Sequence, residues 1–164
     1  MKRSVLAVAV GMFSCGSFAH AQTCASATTL ARDSSYVSDT TTTTNWMFQF
    51  GPLASPSNDM LYTFIAGPQP LGTITPTASN YLFAMYLIPS CSDGGSEVPP
   101  IRATATVGSA ITLSDPPPPG QPSIMEGARY YLAVTGTAAG GATANGTVAF
   151  QTPFPVTLLT FTVD

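Results

Sequence analysis

Four strongly apolar stretches of this chain are short and stop against a glycine or a proline. Trp46–Phe50 stops at Gly51-Pro52, Asp59–Ala66 at Gly67-Pro68, Tyr81–Ile88 at Pro89, and Arg129–Thr135 at Gly136. Such lengths suit strands, and proline ends an element because it lacks an N–H and fixes φ. The pattern inside the stretches agrees. Leu71–Thr75, Ile101–Val107 and Ala110–Leu113 alternate apolar and polar residues, as half-buried strands do. Tyr81–Ile88 is apolar on both parities, which calls for a strand covered on both faces. Ser35–Val37, Gly146–Thr152 and Val156–Val163 add further candidates. About ten short strands separated by turn residues, with no convincing helix, predict an all-β antiparallel β-sandwich of one domain. Asp59–Ala66 is its expected centre. A polar opening, Ser57-Asn58-Asp59, leads into bulky residues, of which Tyr62, Phe64 or their alternates should anchor the core.

The N-terminus reads as a targeting segment. Lys2 and Arg3 precede an apolar run, Val5–Phe13, and Ala19-His20-Ala21 has small residues where a signal peptidase looks. Residues 1–21 are therefore expected to be a Sec signal peptide cleaved after Ala21, with residues 22–164 as the β-sandwich domain. The apolar run is shorter than the roughly 20 residues that cross a bilayer. Lipidation at Cys15 is disfavoured, because Phe13 stands where a small residue is wanted. The resulting expectation is a secreted or periplasmic monomer with no transmembrane segment after cleavage. Removing 21 of 164 residues leaves 143, one domain's worth.

Cleavage also removes Lys2, Arg3 and His20. Arg32, Arg102 and Arg129 then face eight acids, for a net charge of −5 with no Lys and no His. An acidic surface of this kind argues against nucleic acid as a partner. Without His or Lys, the Ser-His-Asp, Cys-His and Ser-Lys arrangements cannot be assembled, and no phosphate-binding glycine loop ends in Lys-Ser or Lys-Thr. Cys24 and Cys91 remain, and two cysteines in an exported chain suggest one disulfide.

Two kinds of site survive these exclusions. A carboxylate pair in a cleft would suit glycoside hydrolysis. Asp59, Asp93 and Glu97 with loop carbonyls would suit calcium, and the competing reading makes Asp59 and Asp93 turn residues. No other cofactor is implied. Trp46, Tyr130 and Tyr131 are candidates for stacking on a sugar ring. Tyr130 and Tyr131 are neighbours on one strand, so only one of them can face the core. The threonine run Thr40–Thr44 reads as an edge strand or a loop, and Asp115–Gly120, with four prolines, as an exposed loop.

Four stretches carry a family resemblance: Asn58–Ala66 (NDMLYTFIA), Leu71–Thr75 (LGTIT), Tyr81–Cys91 (YLFAMYLIPSC) and Gly127–Gly136 (GARYYLAVTG). Their order resembles the bacterial pre-peptidase C-terminal domain family and its secreted relatives, over roughly Cys24 to Phe150. The resemblance implies a jelly-roll sandwich and an accessory or binding role without catalysis. The expected function is thus an exported, non-catalytic domain that binds a protein or polymer partner. The alternatives are a carbohydrate-binding module and a pilus-like structural subunit.

Overall fold

The computed structural model describes residues 23–45, 49–50, 53–54, 57–68, 71–91, 99–114, 116–137 and 145–152. The expected signal segment, Trp46, Asp93, Glu97 and the expected closing strand Val156–Val163 lie outside the described residues. The strands are β1 (Thr28–Thr29), β2 (Ser34–Asp39), β3 (Gln49–Phe50), β4 (Leu53–Ala54), β5 (Asp59–Ile65) and β6 (Thr73–Ser79). They continue with β7 (Phe83–Ile88), β8 (Arg102–Thr104), β9 (Ile111–Thr112), β10 (Arg129–Gly136) and β11 (Thr147–Thr152). Two sheets face each other, in the orders β1-β5-β10-β7-β8 and β2-β11-β6-β9, and β3 and β4 form a separate pair. From β5 onward the chain passes repeatedly from one sheet to the other, giving the expected jelly-roll-like all-β sandwich.

The five-stranded sheet is built on β5 and β10, in register from Thr135 opposite Asp59 to Arg129 opposite Ile65. On its inner face Tyr62 lies opposite Leu132, which in turn lies opposite Leu87. Tyr62, Phe64, Met85, Leu87, Leu132 and Val134 are all buried in the main core. A fully buried side chain of this size contributes roughly 1.5–3 kcal/mol, so these residues hold the fold. At the central strands the outer face is buried as well: Leu61, Ala84, Tyr86, Ile88 and Ala133 form a second cluster. All six residues of β7 are buried, as its unbroken apolar sequence requires.

The four-stranded sheet supplies the opposite wall. Val148 and Phe150 on β11 are fully buried, and Ile74 on β6 joins them. Phe150 stacks on Tyr36 at a centroid distance of 5.3 Å and meets Tyr62 edge-on at 5.2 Å, joining the two sheets. Pro76 sits in an interior strand opposite Phe150, where β6 and β11 shift register by a bulge. A bulge is where a strand accommodates a residue without an N–H. That is why β6 continues to Ser79, beyond the expected end at Thr75.

Several elements differ from the sequence expectation. Thr40–Thr42 form a turn of 3-10 helix, and Asp39 caps it by accepting from the Thr41 N–H at 2.9 Å. Short polar side chains compete with strand pairing in this way. The alternating Ile101–Val107 stretch pairs only over Arg102–Thr104. β1 is too short to read from sequence, and it runs parallel to β5, with Thr28 opposite Tyr62. The Cys24–Cys91 disulfide joins the segment before β1 to the end of β7, with Cα atoms 5.7 Å apart.

Candidate functional site

The solvent face of the four-stranded sheet is the broadest open strand surface among the described residues. Strand alternation puts Ser35, Val37 and Asp39 of β2 on this face, with Thr147, Ala149 and Gln151 of β11. Thr73, Thr75, Thr77 and Ala78 of β6 complete it. Cross-strand register makes rows of these residues. Val37, Ala149 and Ala78 form an apolar row, beside a polar row of Ser35, Gln151 and Thr75. Val37 is 66% exposed. Asn80 and Ser79 close one shallow depression around the apolar row, and Asp33 and Ser34 close another around Ser35 and Gln151. The hydroxyls are ordered by local bonds: Thr77 Oγ1 donates to the Ala149 carbonyl at 3.2 Å, and Thr73 and Thr75 share a bond at 3.3 Å. Among these face residues Asp39 is the charged one, and its Oδ1 is held by the Thr41 hydroxyl at 2.6 Å. The surface carries two shallow depressions, is nearly uncharged and is lined by small side chains, which suits non-covalent docking.

A second group of polar residues lies where the two sheets meet. Asp59 opens β5 and is fully buried. Its backbone N–H donates to the Thr44 carbonyl at 3.3 Å. Beside it, Asn58 Nδ2 donates to the Thr40 carbonyl at 3.1 Å, and the Asn58 N–H donates to Asn145 Oδ1 at 3.0 Å. Thr40 and Gly146 exchange bonds: the Thr40 N–H donates to the Gly146 carbonyl at 2.9 Å, and the Gly146 N–H to Thr40 Oγ1 at 3.0 Å. This belt ties β5, β11 and the Thr40 turn together with bonds that the sheet ladders do not supply. Burial pushes the Tyr81 phenol above its ordinary pKa, the Thr40 hydroxyl lowers it, and the Asp59 and Asp39 carboxylates raise it further. Among the described residues no three His, Cys, Asp or Glu side chains gather as a metal site.

The sequence-derived aromatic candidates separate. Tyr130 is 3% exposed, and its ring stacks on Phe64 at 5.9 Å. Its hydroxyl accepts from the Met125 N–H at 2.9 Å. Tyr130 is thus a core residue, and its ring is not available to a sugar. Tyr131 points the other way and packs, half-buried, against the outer cluster of the five-stranded sheet. Cys24 and Cys91 are joined, as expected.

Sequence reading passes over Arg102. Its side chain is 4% exposed, on the inner side of β8. Nη1 donates to the Ile101 carbonyl at 2.8 Å and Nη2 to the Pro122 carbonyl at 2.7 Å, so it fastens the proline-rich loop to the sheet. Desolvation lowers its pKa, and Tyr130 offsets part of that effect. A lone arginine in an alternating strand looks solvent-facing. Its inward parity shows only once β8 is in register with β7.

Fold and site together define an extended-strand sandwich domain with an open sheet face. Comparison with known protein families, with characterised proteins and with solved structures gives no match.

Proposed function

We propose that this chain is an exported, non-catalytic accessory domain of the pre-peptidase C-terminal type, which binds a protein or polymer partner through the solvent face of its four-stranded sheet. The observation that carries the reading is the division of labour between the sheets. The central strands of the five-stranded sheet, β5, β10 and β7, bury residues on both faces, whereas the four-stranded sheet leaves the rows of Val37, Ala149, Ala78, Ser35, Gln151 and Thr75 open on one. A docking face needs polar groups already fixed in place, because preorganisation limits the entropy lost on binding. The disulfide supports export to an oxidising compartment.

The test is a glycan array run with and without calcium, together with capture of partners from the extracellular fraction. Wild type is compared with Ala149→Arg and Gln151→Ala. Loss of binding in both variants supports the face. Binding that both variants retain moves the site elsewhere, and hydrolysis of any arrayed glycan overturns the non-catalytic reading. Array binding that disappears with chelator assigns the ligand to a calcium-dependent site. Calcium-independent array binding favours the carbohydrate alternative.

A further inference from the structure

We propose that the free edge of β2 pairs with the same edge of a second copy of this chain, joining two four-stranded sheets across a two-fold axis at Val37. The inference concerns the edge of the sheet and is independent of what its face binds.

Unpaired strand edges are hazards that proteins usually blunt, often by keeping them short. The other three edges of the two main sheets follow that rule. β1 has two residues, β8 three and β9 two. β2 has six, and among the described residues it pairs with β11 alone. It contains no lysine and no proline. Its register on β11 runs unbroken from Asp39 opposite Thr147 to Ser34 opposite Thr152, so no bulge turns the edge away. Among the described residues, no lysine, proline, bulge or covering strand blunts this edge, the longest of the two main sheets.

Parity fixes which groups are offered. The Thr40 N–H donates to Gly146, the residue opposite it when the ladder is continued. In an antiparallel ladder bonded and non-bonded pairs alternate. Ser38, Tyr36 and Ser34 therefore direct their backbone groups to β11, and Ser35, Val37 and Asp39 direct theirs to the open edge. An antiparallel pairing with Val37 opposite Val37 of the second copy sets Ser35 opposite Asp39. Each of these pairs exchanges both of its N–H···O=C bonds. The exposed valines cover each other, and each Asp39 carboxylate meets a serine hydroxyl.

The neighbouring registers are worse. A slip of one residue places inward side chains against outward ones. Centring the axis on Tyr36 sets Asp39 opposite Asp33, and like charges directly opposed destabilise a strand pair. It also engages Asp33, whose φ of 48° takes it out of the extended conformation. The Val37-centred register is the one that the sequence of the edge favours.

Analytical ultracentrifugation of the purified protein at up to about 100 μM, a range suited to a small interface of micromolar affinity, should show a dimer. Val37→Lys opposes two ammonium groups on the axis and should weaken the dimer at least about tenfold while leaving the melting temperature unchanged. Ala149→Lys, on the face but off the edge, should leave the dimer intact. Under mild oxidation Val37→Cys should cross-link two chains, because its Cα atoms would lie about 5.5 Å apart, within disulfide reach. Ser35→Cys should not cross-link. A monomeric wild type at the highest concentration, a dimer indifferent to Val37→Lys, or cross-linking of Ser35→Cys as fast as Val37→Cys would each overturn the proposal.

Discussion

The two sheets bury their residues in different ways. In β7 every residue is buried, whichever way its side chain points, and β5 buries Leu61 and Thr63 on one side with Tyr62 and Phe64 on the other. In β11 the buried residues are Val148, Phe150 and Thr152, and those between them reach solvent to a greater degree. β2 follows the same alternation. A sheet covered on both faces can carry stability but offers no surface. A sheet covered on one face contributes half as much apolar burial per strand and leaves the other face for recognition. The fold thus separates holding from binding.

The sharpest way to break this comparison is to place one charge on each outer face. Ala133→Asp puts a carboxylate into the fully buried outer cluster of the five-stranded sheet. It should cost about 5 kcal/mol or prevent folding, since a buried unpaired charge is among the costliest changes. Ala149→Asp makes the same change on the open face and should cost about 1 kcal/mol at most, from strand propensity. Equal costs, measured by urea unfolding, would refute the division between the sheets.

Removing the disulfide comes next. The bond closes a separation of 67 residues, and Cys24→Ser with Cys91→Ser should cost about 4 kcal/mol by the loop-entropy relation. Hydrogen exchange should then show β1 released before the four-stranded sheet opens.

Tyr62 tests the seam where the sheets meet. Burial pushes its phenol up to about 12, and Ser38 draws it back slightly. The unfolded phenol releases its proton near 10, so between 10 and 12 the folded state is the proton-richer one. Stability is full below pH 10 and is lost as pH rises through that window, by roughly 2–3 kcal/mol from this group. In Tyr62→Phe the part of the alkaline slope due to this residue should disappear, as pH-dependent urea midpoints would show.

Smaller effects belong to two glycines. A Cβ on Gly146 would meet the Asn80 amide oxygen and lie 2.7 Å from the Tyr81 ring, within the polar belt. Gly146→Ala should cost about 2 kcal/mol through the forced shift. Gly127, in the turn before β10, has a φ of 76° with open space around its Cα. Gly127→Ala should cost about 1 kcal/mol from backbone strain alone, and a larger loss in thermal melts would mean that the turn is packed.

Much of the fold was legible in the residues because its signals are local. The apolar runs ending at Gly67, Pro89 and Gly136 mark β5, β7 and β10 to within two residues. The unbroken Tyr81–Ile88 pattern announced a strand buried on both faces, which holds for Phe83–Ile88, while Leu82 precedes the strand and is 58% exposed. Other features were hidden because their cause is distant in the chain. Pro76 looks like a strand breaker until the bulge opposite it is seen. Arg102 looks like a surface cation until its strand is in register. The candidate site was less legible still. Tyr130 carries the signature of a stacking residue, yet the β5–β10 register turns it onto Phe64 in the core. The open face consists of Ser, Thr, Ala, Val and Gln, residues without individual chemical signatures, and only cross-strand register gathers them into rows.

The sequence by itself determined the class of this protein: an all-β sandwich stapled by one disulfide, with the Asp59–Ala66 stretch at its centre. Strand period, proline and glycine spacing and cysteine count act over a few residues and need no knowledge of the rest of the chain. Tertiary structure alone decided which strands became edges, which sheet face stayed open, and that Asp59 was carried into the interior. Those outcomes depend on which distant strands pair and in what register. Residues far apart in sequence settle that jointly, through the apolar area that each possible pairing buries.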